Sequence, residues 1–175
     1  MIDTVRIWLI TIVTFTALVA EGVVKKGHAQ DSIQWYSMQE AQQLAKNHHK
    51  KVFIYAEASW CVYCKKMEKE VFPKQGVIDS LKAYYFPVKI DIESDQMMTF
   101  NGQQMTQQQF ARSYRIRATP TFFFLDRQGK VLGMQPGFIP AHTFSILLSY
   151  VGSGAFQQIA FENYLNRHEA AGMQP

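Results

Sequence analysis

Hydrophobic positions along the chain change period several times, and each change marks an element. Over residues 34–47, Met38, Ala41, Leu44 and Ala45 recur three and four apart, the spacing of one helical face. His48-His49-Lys50-Lys51 then puts positive charge near the helix end, where the macrodipole favours it. Residues 52–56 form a short unbroken apolar run, the pattern of a strand buried on both faces. From Cys61 the helical period returns, with Cys64, Met67 and Val71 on one face and Lys65, Lys66, Glu68 and Lys69 outward, until Phe72-Pro73. Residues 77–83 predict another helical turn or two, and 85–92 a second strand. Asn101-Gly102 between extended residues signals a tight hairpin turn over 98–105. Thr106 reads as the N-cap of a helix running to Tyr114. Residues 121–125 and 130–134 are a third and a fourth strand, joined by the turn Asp126-Arg127-Gln128-Gly129. Pro140 starts a helix to about Val151, Gly152-Ser153-Gly154 breaks it, and 155–167 is a last helix with Phe156, Ile159, Ala160 and Tyr164 on one face. This order predicts an α/β domain, with a central mixed sheet of about four strands flanked by helices and a C-terminal helical extension.

The first thirty residues are of another kind. Residues 7–20 are all apolar or threonine, follow Arg6, and give way to a more polar stretch. Gly27-His28-Ala29 supplies small residues for a cleavage before Gln30, so 1–29 has the layout of a secretory signal peptide. An uncleaved anchor through 7–20 is the alternative, since Lys25-Lys26 makes the following stretch long. Either way the domain, expected over 30–168 with a flexible tail at 169–175, faces a periplasmic or otherwise exported compartment. Its size suits one well-cored domain. The net charge of +4 is mild and its basic residues are scattered, which argues against a nucleic-acid partner.

The chain has two cysteines, in Trp60-Cys61-Val62-Tyr63-Cys64-Lys65. A disulfide there closes so small a ring that it stabilises by only about 2 kcal/mol. As a zinc or copper carrier the pair lacks the further ligands a structural site takes. Redox exchange is the stronger reading. Cys61, opening a helix, is expected to be the exposed nucleophile, its thiolate favoured by the helix dipole. Cys64, one turn in, is expected to be the buried resolving thiol. Trp60, beside an exposed thiol, is expected to shield the site and contact substrate.

Two motifs together carry a family resemblance. Trp60-Cys61-x-x-Cys64-Lys65 after a buried strand resembles the thioredoxin active site. Arg115-Ile116-Arg117-Ala118-Thr119-Pro120-Thr121 before an apolar strand resembles that superfamily's cis-proline segment. Asp126-x-x-Gly129-Lys130 and Gly137 also fit, so the resemblance covers residues 52–151. More narrowly, Cys-x-Tyr-Cys-Lys-Lys-Met, Phe100-Asn101-Gly102 and Gly154-Ala155-Phe156 resemble SoxW-like periplasmic thioredoxins.

The resemblance implies a thioredoxin-like fold and a Cys61–Cys64 redox disulfide. It implies substrate contacts at Trp60, Val62, Tyr63, Thr119 and Pro120, and protein disulfides or dithiols as substrates without a cofactor. The reductase direction follows from the subgroup, with a membrane thiol–disulfide reductase as electron donor and a monomeric state. Oxidase or isomerase activity is the rival, because potentials within the family span about 150 mV. One departure matters. Tyr55 stands where thioredoxin has a buried aspartate, which makes Glu57, with Lys89, the candidate proton acceptor for Cys64.

Overall fold

A computed structural model of the chain describes residues 32–172. The export segment at 1–29 and the end of the tail lie outside the described residues. Along the chain run α1 (Met38–His48), β1 (Lys51–Glu57), α2 (Val62–Lys66) continuing into a π-helical turn (Met67–Val71), and α3 (Gln75–Tyr84). Then come β2 (Tyr85–Asp91), β3 (Met97–Phe100), β4 (Gln103–Thr106), α4 (Gln107–Ser113), β5 (Thr121–Leu125) and β6 (Val131–Pro136). The chain closes with α5 (Ala141–Ser153), a 3-10 turn (Ala155–Gln157) and α6 (Phe161–Gly172).

The central sheet has the order β2-β1-β5-β6, and β3 and β4 form a separate hairpin. β1 runs parallel to β2 and antiparallel to β5, so it is an interior strand, which is why residues 52–56 are apolar without a break. Strand alternation divides the core in two. Phe53, Tyr55, Phe122 and Phe124 face a layer holding Cys61, Cys64, Met67, Val71, Val77, Leu81, Phe144 and Leu148. Val52, Ile54, Ala56, Phe123 and Leu125 face Met38, Ala41, Ala45 and Phe110. Each buried Phe or Ile contributes about 1.5–3 kcal/mol of transfer free energy, so these two layers supply most of what holds the sheet.

Local signals explain most boundaries. The Thr106 hydroxyl accepts the Gln109 N–H at 3.0 Å and the Gln109 side chain accepts the Thr106 N–H at 2.8 Å, a full capping box for α4. Asn101 (φ 50°) and Gly102 (φ 81°) make the hairpin turn. Elsewhere tertiary contacts move the boundaries. α1 starts at Met38, not at residue 34, because Tyr36 is extended and its N–H donates to the Pro87 carbonyl at 2.9 Å, on the edge of β2. α5 runs through Gly152, and the left-handed Gly154 (φ 86°) ends it. The last helical stretch is two pieces, not one. α6 starts at Phe161 and carries helix to Gly172, so residues 169–172, expected in the tail, are helical. Tyr150 anchors this extension, its hydroxyl donating to the Ile159 carbonyl at 2.7 Å and its ring meeting Phe161 and Tyr164. Among the described residues no helix is long and apolar enough to cross a membrane.

Candidate functional site

β1 ends at Glu57, and the turn through Ala58, Ser59 and Trp60 leads straight into α2. The Cys61 N–H donates to the Ala58 carbonyl at 2.9 Å and closes that turn. Cys61 is the N-cap of α2, with extended backbone (φ −75°, ψ 108°), and its Sγ accepts the Cys64 N–H at 3.0 Å. Cys61 and Cys64 are disulfide-bonded, their Cα atoms 5.2 Å apart.

The structure corrects one expectation here. Cys61 is 3% exposed in the bonded form, hardly more than Cys64 at 1%. Its sulfur is bonded to the Cys64 sulfur and accepts the Cys64 amide N–H. What faces solvent instead is the residues beside it: Trp60 is 59% exposed, Val62 74% and Tyr63 60%. These three side chains form an apolar, largely aromatic rim beside the disulfide. The rim extends to Phe138, in the loop between β6 and α5, whose ring lies 6.2 Å from that of Tyr63 and under the Lys66 ammonium at 4.6 Å. Sequence reasoning missed Phe138, since a loop position has no periodicity to betray it.

Thr119 and Pro120 come to the same end of the sheet. Thr121 at the start of β5 pairs with Ala56 near the end of β1, so the two residues before it sit beyond the sheet where α2 departs. The Thr119–Pro120 bond is cis, and the Pro120 carbonyl accepts the Gly137 N–H at 2.8 Å. Among the described residues, the Thr119 hydroxyl is buried without a hydrogen-bond partner.

Beneath the disulfide, Tyr55 projects from β1, and its hydroxyl donates to the Cys64 carbonyl at 3.2 Å. Burial, and after it the charges of Glu68 and Glu57, push the Tyr55 pKa far up, so this residue stays neutral. Glu57, two residues on, shares the sheet face of Tyr55. Opposite them on β2, Lys89 pairs with Tyr55 and Asp91 with Glu57 in register. The Lys89 ammonium lies 2.6 Å from Glu68 and 3.6 Å from Glu57, with the Tyr55 ring 5.9 Å away. Burial raises the Glu57 carboxyl above its usual pKa; Lys89 opposes that rise, and Asp91 and Glu68 add to it. For Lys89, burial works against the charge, but the Glu68 hydrogen bond and the Glu57 and Glu68 carboxylates hold its pKa above the ordinary value. Glu68 is the second residue that sequence reasoning left out. It lies in the π-helical turn, and its partner Lys89 is on β2, so no local pattern pointed to it. Among the described residues no group of three or more His, Cys, Asp and Glu side chains gathers as a metal would need.

Two sulfurs that bond across a helix start can carry out dithiol–disulfide interchange. Comparison with known proteins agrees. A thioredoxin-like domain family matches residues 38–152. Disulfide bond reductase DsbH of Chlamydia pneumoniae is 26% identical over 113 residues, covering 62% of this chain and 68% of that protein. Thiol:disulfide interchange protein DsbD of Pseudoalteromonas atlantica is 31% identical over 105 residues, covering 56% of this chain and only 16% of the relative. Among solved structures, a thioredoxin from Thermus thermophilus superposes with a TM-score of 0.57 at 30% identity, over 69% of this chain and 87% of that one.

Proposed function

The chain belongs to the thioredoxin-like domain family, and on that footing we propose that it is an exported thiol–disulfide oxidoreductase that reduces disulfides in proteins. The observation that carries this reading is the Cys61–Cys64 disulfide at the start of α2, ringed by exposed Trp60, Val62 and Tyr63. In the reduced enzyme the Cys61 thiolate attacks one sulfur of the substrate disulfide, and the other sulfur leaves as a thiolate. Cys64 then loses its proton and attacks the Cys61 sulfur. The Cys61–Cys64 bond forms, the mixed disulfide breaks, and the substrate departs reduced. Glu57, supported by Lys89, takes the Cys64 proton in this reading. Trp60, Val62, Tyr63, Thr119 and Pro120 hold the substrate chain.

The reductase direction is supported by the relative from Chlamydia pneumoniae, which carries that activity in its name, and by the likeness to SoxW-like thioredoxins. Export is supported by the layout of residues 1–29 and by the compartment in which disulfide partners persist. The oxidised enzyme then takes two electrons from a membrane thiol–disulfide reductase.

Trapping tests the reading. In Cys64→Ala the mixed disulfide on Cys61 should persist and its partner can be identified by mass. Adducts accumulating on Cys61→Ala instead would reverse the two roles, and none on either would remove the exchange. Insulin reduction together with a scrambled-ribonuclease assay separates reductase from oxidase and isomerase.

A further inference from the structure

The two ends of the sheet differ in charge. Lys51 pairs with Tyr85, Val52 with Leu125 and Leu125 with Val131, so the starts of β1, β2 and β6 and the end of β5 lie together. Glu57 and Thr121 lie at the other end, with the disulfide, about 20 Å away along β1. The segments that build the first end, residues 46–51, 82–86, 126–132 and 152–158, contain six lysines and arginines and two histidines against one carboxylate, Asp126. At the disulfide end, residues 57–70, 89–95 and 114–121 hold six basic residues and six carboxylates. Basic residues scattered along the sequence are thus gathered by the fold at the pole opposite the cysteines. We propose that this basic pole docks on a membrane surface rich in anionic phospholipid headgroups and so points the disulfide away from the bilayer.

The pole has both the charge and the apolar content for such a surface. Lys46, His48, His49, Lys82, Arg127 and Lys130 are exposed around it. Lys50, Lys51 and Arg127 bond to neutral groups, which leave their charge in place. Lys50 Nζ donates to the Lys82 carbonyl at 2.5 Å, Lys51 Nζ to the Gly152 carbonyl at 2.7 Å, and the Arg127 guanidinium to His49 Nδ1 at 2.9 Å. Leu132 and Phe156 line a cleft with Lys50, Lys51 and Arg127. Apolar side chains thus sit among the cations, as suits the boundary between headgroups and acyl chains. The start of the described chain lies at the same pole. Tyr36 bridges Val88 in parallel, so the segment before it runs along β2 in the same direction, and Ser32 and Ile33 share a cleft with Lys50, Lys82 and Phe86. The sequence upstream carries the apolar run 7–20 and Lys25-Lys26. A duplex nucleic acid would meet the same cations but gives no reason for that run or for Leu132 and Phe156.

Docking of this kind requires no particular redox direction, so its test reads binding alone. The full chain is floated with vesicles of phosphatidylcholine, pure or with about one-third phosphatidylglycerol, and the ratio of the two partition coefficients is taken. The ratio cancels what residues 7–20 contribute, since both vesicles offer the same acyl core. Each lysine or arginine near an anionic surface strengthens binding about fivefold, so wild type should prefer the anionic vesicles by about tenfold or more. Raising the salt from about 0.1 M to about 0.5 M should remove the preference. Lys46→Gln/Lys50→Gln/Arg127→Gln/Lys130→Gln should lower the ratio by about tenfold, whereas Lys69→Gln/Lys74→Gln/Arg112→Gln/Arg117→Gln, of equal net charge, should stay within about twofold of wild type. Circular dichroism checks folding, and Lys46→Gln/Lys130→Gln, at two exposed positions, should still lower the ratio if the fourfold variant unfolds. No anionic preference in wild type, or equal loss in both fourfold variants, overturns the proposal. Binding of a duplex oligonucleotide without that preference assigns the pole to another polyanion and overturns it as well.

Discussion

At Glu57, burial and the Lys89 charge pull in opposite directions, and burial wins. Its carboxyl pKa is raised by burial first, with Lys89 opposing and Asp91 and Glu68 adding. The folded protein therefore holds that proton more tightly than the unfolded chain. Stability falls as pH rises from the ordinary carboxylate value of 4.5 through the raised one, and the loss is complete above it. In Glu57→Gln this loss is absent. Its unfolding free energy relative to wild type, from denaturant titrations, should grow with pH across that window, and a pH-independent difference would refute the assignment. Arg115 is strained differently: its φ of 51° puts an L side chain in the left-handed region, which costs about 1–2 kcal/mol. Arg115→Gly relieves that, less the entropy glycine adds to the unfolded chain, and should gain about 0.5–1 kcal/mol. A lower thermal midpoint would mean that the arginine side chain itself stabilises the loop. At this scale Cys61, Cys64, Trp60 and the Thr119-Pro120 pair were legible because their signal is spacing within a short motif. Glu68 was not, because its partner Lys89 lies 21 residues away on another element.

At the scale of elements, capping and turn chemistry marked the starts and stops that depend on neighbouring residues only. Thr106 with Gln109, the Asn101-Gly102 turn and the Asp126–Gly129 turn are of this kind. Gly152 is not. As a residue type it reads as a helix breaker, yet it lies inside α5, where a Cβ would come within 2.4 Å of the Tyr84 ring and 2.6 Å of the Tyr84 Cβ. Close packing of α5 on the end of α3 demands glycine there. Gly152→Ala should therefore destabilise by about 1–3 kcal/mol through overpacking, although alanine is the better helix former by about 1 kcal/mol. Chemical denaturation decides the sign, and a stabilised variant would show that Tyr84 yields easily. The hairpin of β3 and β4 is likewise held from outside itself. The Gln42 side chain donates to Asn101 Oδ1 at 2.5 Å and accepts the Asn101 N–H at 3.1 Å, while Asn101 Nδ2 donates to the Gly129 carbonyl at 3.1 Å. Three elements meet at one asparagine, and no local pattern announces it.

For the whole molecule, the disulfide is a minor structural contributor and a major chemical one. Its ring spans four residues and stabilises by about 2 kcal/mol, whereas most residues of the two aromatic-rich layers on either side of the sheet lie outside that ring. Reduced protein should thus unfold cooperatively, at a modestly lower denaturant midpoint and with an unchanged slope. Loss of a cooperative transition on adding dithiothreitol would show that the fold depends on the bond. Sequence alone determined the α/β class, the order of elements, the cysteine pair and the proline loop, because period, composition and motif spacing are properties of contiguous residues. Only the tertiary structure decided that both cysteines are covered in the bonded state, that Phe138 joins Tyr63 in the rim, and that Lys89 serves two carboxylates at unequal distance. These are set by contacts between residues distant along the chain, where strand pairing and helix packing choose the neighbours.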